Sequence, residues 1–382
     1  MIPIITTLPL LQMASGDRLF LQVYKFIGTK PGRKVYLQSN LHGAELTGNA
    51  VIHQLMQWLG SLEPTQLAGE IWLVPLCNPL GTNTRSHHFS PGRFDAYSGE
   101  NWNRIFWEYQ PNVEDLTAFA QSQMECDRPT IEQNYRDRMW ASFEKLAAPL
   151  KAPSGQPFCD HYRFLLQSLC LDAHYVIDLH TSSDQGLTYL YYFRNRQTSA
   201  RLFMLPLGIL LDEYAGGAFD EAFIKPWLAL EDCFAQLGRK IQFEIEAWTL
   251  ELGSAMQIDA GTVDRGVQAV KNYLLQKGIL RVPAAPTPMP SIATMKLVAS
   301  SQMKKYYAPM GGMVQARVAL GKTVEAGQRL YQILSFNKGL NQGSETEQMP
   351  TVLDICAEQS GIVYDVSINH AVNQGEYVLG IL

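Results

Sequence analysis

The chain reads as a mixed α/β protein, with a mostly parallel central sheet flanked by helices and a small all-β, barrel-like unit at the C-terminal end. Three observations predict this. Short apolar runs alternate with amphipathic helical patterns over residues 1–280, as in helices layered on a sheet. Residues 281–290, RVPAAPTPMP, then break both patterns. Beyond them the chain turns to glycine-punctuated, β-branched runs.

In chain order, strands are predicted at KVYLQSN (34–40), EIWLVPLCN (70–78), HYVIDLH (174–180), TYLYYF (188–193) and KIQFEIEA (240–247). Helices are predicted over 48–60, 116–146 and 263–277, and the charged, helix-forming stretch 107–165 reads as a cover over the sheet. In such folds chemistry gathers beyond the carboxyl ends of the strands, where His42, Asn78 and His180 all fall. Pro283, Pro286, Pro288 and Pro290 make 281–290 a stiff linker, separating a domain over 1–280 from a β-rich domain over 291–382. Within the latter, residues 306–334 and 354–382 look like two copies of one pattern, a small-residue turn, a strand, Val-x-x-Gly and a closing strand. The pattern resembles the biotinyl/lipoyl-carrier type of fold. A carrier lysine belongs at a hairpin tip between the halves, whereas Lys296 precedes the first half, so a structural or site-covering role is expected.

The 382 residues carry 31 Lys and Arg against 36 Asp and Glu, a formal charge of -5. That balance offers no polycationic surface for nucleic acid or anionic lipid. The six cysteines form no close pairs and suit buried thiols in a reducing compartment. The N-terminus lacks a basic start, and its apolar run is broken by Pro3, Pro9 and Asp17, unlike a signal peptide. The longest apolar run elsewhere, 202–211, is too short for a membrane span. The expectation is a cytoplasmic protein, with the oligomeric state left open.

The densest chemical signal is SNLHGAELTGN (39–49), where a strand gives way to a helix. His42 and Glu45, three apart in this turn, bring an imidazole and a carboxylate within reach of one cation. Catalytic zinc sites commonly use two histidines and one carboxylate and keep one position for water. The best third ligand is His180 of VIDLHTSS, at a strand end followed by small polar residues, with Asp178 on the same strand face as a supporting carboxylate. His53 lies within a helix, His87 and His88 in a loop, and His174 at the far end of the strand that bears His180. The Gly/Ser/Pro-rich loop 78–106 contributes Arg85, Arg93, Asn103 and Arg104, and guanidinium forks bind carboxylates and stabilise oxyanions. Glu251, in EAWTLELGS, is a further carboxylate near a strand end.

LHGAELTGN, CNPLG, NWNR, DLHTSS and TLELG occur in the order and approximate spacing of the succinylglutamate desuccinylase/aspartoacylase family, and over residues 30–275 the chain resembles that zinc carboxypeptidase-like branch. The resemblance implies one zinc ion held by His42, Glu45 and His180, a clamp for a substrate carboxylate at Asn103 and Arg104, and Glu251 as general base and acid. It also calls for an arginine to polarise the scissile carbonyl; the shorter loop favours Arg93, with Arg85 the other candidate on the substrate side. Many members carry Asp where this chain has Asn101, which weakens the electrostatic support of a ligand histidine if that position orients one. The expected activity is deacylation of an N-acyl amino acid or a related small amide bearing a carboxylate. A peptide carboxypeptidase and a non-catalytic binding protein of the same fold are the competing readings.

Overall fold

The structure is a computed structural model that describes residues 1–85, 90–150, 157–282, 295–336 and 349–382. His87, His88 and residues 283–290 of the expected linker lie outside the described residues.

The first ten strands in chain order are β1 (Ile4–Gln12), β2 (Arg18–Ile27), β3 (Lys30–Ser39), β4 (Ala68–Val74), β5 (Tyr175–Ser182), β6 (Gln185–Gly186), β7 (Thr188–Tyr192), β8 (Leu207–Leu210), β9 (Glu246–Ser254) and β10 (Lys296–Ala299). All but β6 join one nine-stranded sheet in the order β1-β2-β4-β3-β5-β9-β7-β8-β10. Its centre, β4-β3-β5-β9, is parallel, so these strands are covered on both faces.

Side-chain alternation sorts those strands onto two different faces. Val35, Leu37, Tyr175, Ile177, Leu179, Trp248, Leu250 and Leu252 form one apolar face under the helices Thr47–Gly60 and Ala260–Gln276. Tyr36, Val176 and Ala247 begin the opposite face, which is covered by Val113–Ser122, Arg128–Glu144, Phe158–Ser168 and Phe219–Gln236. Further along the same strands, that second face turns polar, with Gln38, Asp178, His180, Thr249 and Glu251 in place of aliphatic residues.

Two expectations are corrected. Of the stretch 240–247 only Glu246 and Ala247 lie in a strand, the start of β9, Glu246–Ser254. Phe243 and Ile245 are buried as a strand pattern implies, but side chains satisfy their main chain. Phe243 N donates to Glu231, and Arg196 donates to the carbonyls of Phe243 and Ile245. The helix expected over 116–146 is two helices. Asp127 accepts from Thr130 N and Pro129 follows, which together start a new helix. The β1-β2 hairpin and the helix Phe219–Gln236 were not foreseen.

Eight strands follow: β11 (Lys304–Tyr307), β12 (Gly312–Gln315), β13 (Thr323–Val324), β14 (Arg329–Ser335), β15 (Thr351–Cys356), β16 (Gly361–Val366), β17 (Ala371–Val372) and β18 (Tyr377–Ile381). They form two antiparallel sheets, β11-β18-β16-β13 and β15-β14-β12-β17, each the image of the other when the two sequence halves are exchanged. Around them closes a separate core that includes Leu330, Tyr331, Val363 and Leu379. Lys296 lies on β10, paired with β8 in the large sheet, and not at a hairpin tip. The β unit is stitched to the large sheet where β6 pairs with β16 and where Tyr189, Leu207 and Ile209 pack on Tyr364 and Leu382. Among the described residues no helix is long and apolar enough to cross a membrane.

Candidate metal centre and active site

The His42–Glu45 turn is held through its main-chain groups by two asparagine side chains and by the 91–92 segment. Asn40, at φ 68°, leaves β3 in a left-handed conformation, and its Nδ2 donates to the carbonyls of His42 and Gly43 at 3.0 and 3.1 Å. Asn78 Nδ2 donates to Leu41 O, and Gly43 N and Ala44 N donate to Gly92 O and Pro91 O. A Cβ at Gly43 would lie 2.1 Å from Gly81 O, so only glycine lets the two loops approach this closely.

His180 comes from β5, in register with Glu251 on β9. His42, Glu45 and His180, all buried, have ligand atoms within 4.8 Å of one another. Glu45 places Oε1 2.8 Å from His42 Nδ1 and Oε2 2.8 Å from His180 Nδ1. The opposite ring nitrogens are already engaged. His180 Nε2 faces Asp178 Oδ2 at 2.9 Å, and His42 Nε2 faces Asn101 Oδ1 at 3.0 Å. Asn101 Oδ1 also accepts from Asn103 N, which identifies it as the oxygen. With Nε2 of each ring donating to an acceptor, the Nδ1 lone pairs converge on a carboxylate, and only positive charge resolves that meeting of acceptors. The donor set therefore fits a divalent cation of the zinc kind.

The electrostatics agree. Burial alone would raise the Glu45 carboxyl, but the imidazoles of His42 and His180 hold it well below the usual carboxylate range. Burial would lower the His180 pKa, but Asp178 and Glu45 override it and hold it well above the ordinary histidine value.

The cluster opens into a cavity of about 580 Å³. Arg93, Asn103, Arg104 and Glu251 all line it. Arg93 Nη1 donates to Ser183 Oγ at 2.7 Å and stands 3.7 Å from Glu45 Oε1. Asn103 Oδ1 accepts from Phe219 N, at the start of a covering helix. Glu251 Oε2 is buried without a hydrogen-bond partner among the described residues. Burial pushes that carboxyl up to about 8, with Glu45 and Asp365 adding to the rise and His180 and Arg93 opposing it. Arg85 is not brought into the cavity; its guanidinium folds back onto the carbonyls of Thr82 and Thr84 at the exposed end of the Pro79–Asn83 helix.

Several features were missed. Asp220, accepting from Thr249 at 2.7 Å and pushed up to about 6 by burial, sits on the cavity wall. So do Lys305, Tyr364, Asp365 and Tyr377 from the C-terminal β unit. A buried acid in the first turn of an apolar helix was a readable signal for Asp220; the β-unit residues carry none, because their approach depends on how the unit docks.

The class that fold and site define is an α/β protein of the aspartoacylase fold, with a His–Glu–His cluster able to hold one metal ion. The family model of the succinylglutamate desuccinylase/aspartoacylase catalytic domain matches residues 31–129. A succinylglutamate desuccinylase/aspartoacylase family protein from Shewanella amazonensis SB2B is 32% identical, with 99% of this chain and 98% of that one covered and a TM-score of 0.84. A structure assigned to succinylglutamate desuccinylase/aspartoacylase from Shewanella frigidimarina NCIMB 400 is 28% identical, with 100% and 97% covered and a TM-score of 0.85. A product-bound ectoine utilization protein from Ruegeria pomeroyi shares the fold at 14% identity, with 100% and 96% covered and a TM-score of 0.64. No curated protein matches the chain. The chain belongs to the succinylglutamate desuccinylase/aspartoacylase family, whose names denote hydrolases.

Proposed function

We propose that this protein is a zinc-dependent deacylase that hydrolyses the amide of a small carboxylate-bearing compound, an N-acyl amino acid or a close relative. One observation carries the reading: two imidazole Nδ1 atoms and the Glu45 carboxylate converge at the floor of a cavity that also exposes the unpartnered, proton-affine Glu251.

His42, Glu45 and His180 would hold the ion, which when bound supplies a Lewis acid able to polarise a carbonyl and to acidify water. Asn103 and Arg104 hold the substrate carboxylate and orient the scissile amide. Glu251 takes the proton of the attacking water and returns it to the departing nitrogen; its raised affinity for a proton suits it to the second task. Arg93, fixed by Ser183, faces the developing oxyanion. The C-terminal β unit, through Lys305, Tyr364, Asp365 and Tyr377, acts as a wall of the site and not as a carrier. That wall supports a small substrate over a peptide, since Tyr364, Asp365 and Tyr377 occupy a side of the cavity that a peptide groove would leave open. We place the protein in the cytoplasm on the strength of its six free thiols.

Glu251→Gln is expected to lower turnover of the best N-acyl amino acid by at least about a thousandfold with stoichiometric zinc retained, measured by amine release and metal analysis. Undiminished turnover would remove Glu251 from the chemistry. Parallel assays on C-terminal peptides decide between deacylase and carboxypeptidase. Protein that binds no zinc and stays inert after zinc addition would favour the binding-protein reading.

A further inference from the structure

We propose that Gln38 is a positioning residue for the metal centre, fixing the His180 imidazole through Asp178; this rests on the metal reading of the site. Gln38 on β3 and Asp178 on β5 are register partners in the parallel pair. Gln38 Nε2 donates to Asp178 Oδ1 at 3.1 Å, while Asp178 Oδ2 accepts from His180 Nε2 at 2.9 Å. Donors on opposite oxygens hold the carboxylate in its plane, so the ring it orients has one setting. Tyr36 OH donates to Gln38 Oε1 at 2.9 Å, which fixes which end of the amide faces Asp178. Relative exposures are 0% for Tyr36, 0% for Gln38, 1% for Asp178 and 3% for His180, so water offers no substitute donor along this line.

Packing alone does not call for an amide here. An apolar side chain of similar volume would fill the space without the cost of desolvating a polar group. Both side-chain hydrogen bonds of Gln38 run along the line from Tyr36 to His180. Leu37, next to Gln38 on β3, and Val35, two positions before Leu37, pack into the apolar core on the opposite face. What the amide supplies is therefore direction for Asp178, and through it the presentation of Nδ1 to the ion. Groups that orient a metal ligand from behind typically matter about 10- to 100-fold in metal affinity.

The experiment compares wild type, Gln38→Met, Asp178→Asn and the double variant, each stripped of metal. The readouts are zinc affinity by chelator competition, the visible spectrum of the cobalt-substituted protein, and thermal unfolding of the metal-free form. Gln38→Met is expected to weaken zinc binding about tenfold and to change the cobalt spectrum. In the Asp178→Asn background the same change should cost no more than about twofold, because residues acting in one line are not additive. Tyr36→Phe is expected to weaken zinc binding about threefold, and it decides the matter if Gln38→Met does not fold. Unchanged zinc affinity and cobalt spectrum in Gln38→Met, or in Tyr36→Phe where that variant must decide, would overturn the proposal. So would an equal loss with and without Asp178, since that marks a general packing defect. Wild-type protein that takes up no zinc would sink the metal reading itself, an outcome distinct from wild type binding zinc while the variants bind equally well.

Discussion

His42 and His180 face the same carboxylate but are held in opposite ways. His180 ends the regular part of a strand buried over most of its length, backed by a carboxylate that is itself anchored in the neighbouring strand. His42 sits on a turn, backed by the neutral amide of Asn101, which arrives on a separate loop. One imidazole is placed by the sheet, and the other by segments that must first find each other. The difference teaches what each imidazole depends on: His180 on side chains that hydrogen-bond within the sheet, His42 on the close packing of segments that are far apart in the chain.

The largest expected effect falls on the loop side. Gly43→Ala drives a methyl into Gly81 O, and a clash of that kind costs about 3 kcal/mol; denaturant unfolding would read it. If stability is unchanged, the two loops are not as tightly joined as the comparison holds. Next, Asp178→Asn is expected to weaken zinc binding about 10- to 100-fold, and Asn101→Ala less, measured by the same chelator competition. A larger loss from Asn101→Ala would reverse the ranking of the two supports. A smaller effect should run the other way: Asn101→Asp adds a charge behind His42 and is expected to tighten zinc binding severalfold.

The smallest effect concerns His174, just before the start of the strand that His180 closes. Its Nδ1 accepts from Lys34 N at 3.1 Å, and burial, with Arg136, Arg33 and Lys34 nearby, lowers its pKa to about 3. The folded value lies below the ordinary 6.5, so the unfolded chain binds more protons between the two. Stability is fully present above pH 6.5 and falls as the pH drops toward 3. His174→Gln should flatten that slope in urea midpoints taken between the two values, and an unaltered slope would show that this ring does not set it. Two histidines on one short run would then serve opposite ends, one kept neutral for the fold and one offered to a cation.

Much of this was legible because the chemistry sits at strand ends. The runs around Tyr36 and Ile177 announce buried parallel strands, and their termination in SNLHGAE and DLHTSS puts His42, Glu45 and His180 at the ends of adjacent strands. The helices around Val51 and Val267 follow from their apolar stripes. What misled was burial without a ladder. Phe243 and Ile245 alternate like strand residues, yet Arg196 and Glu231 satisfy their backbone from elsewhere in the chain, and β9 itself was disguised by Thr249 and Glu251 facing the cavity. Gln38 was overlooked because one polar residue in an apolar strand reads as a strand end. Arg85 stayed a second candidate behind Arg93 because a loop sequence does not reveal which guanidinium its own carbonyls will capture.

The pairing of Gln185 and Gly186 with Val366 and Asp365 has a practical corollary. The floor and one rim of the cavity come from distant stretches of the chain, yet they meet at a short strand pairing just after His180. Exchanging that rim between relatives at this pairing would change one wall of the cavity and leave His42, Glu45 and His180 in place. Removing it would bare the edge of β6 and unsettle the Ser182–Ser183 corner on which Arg93 leans.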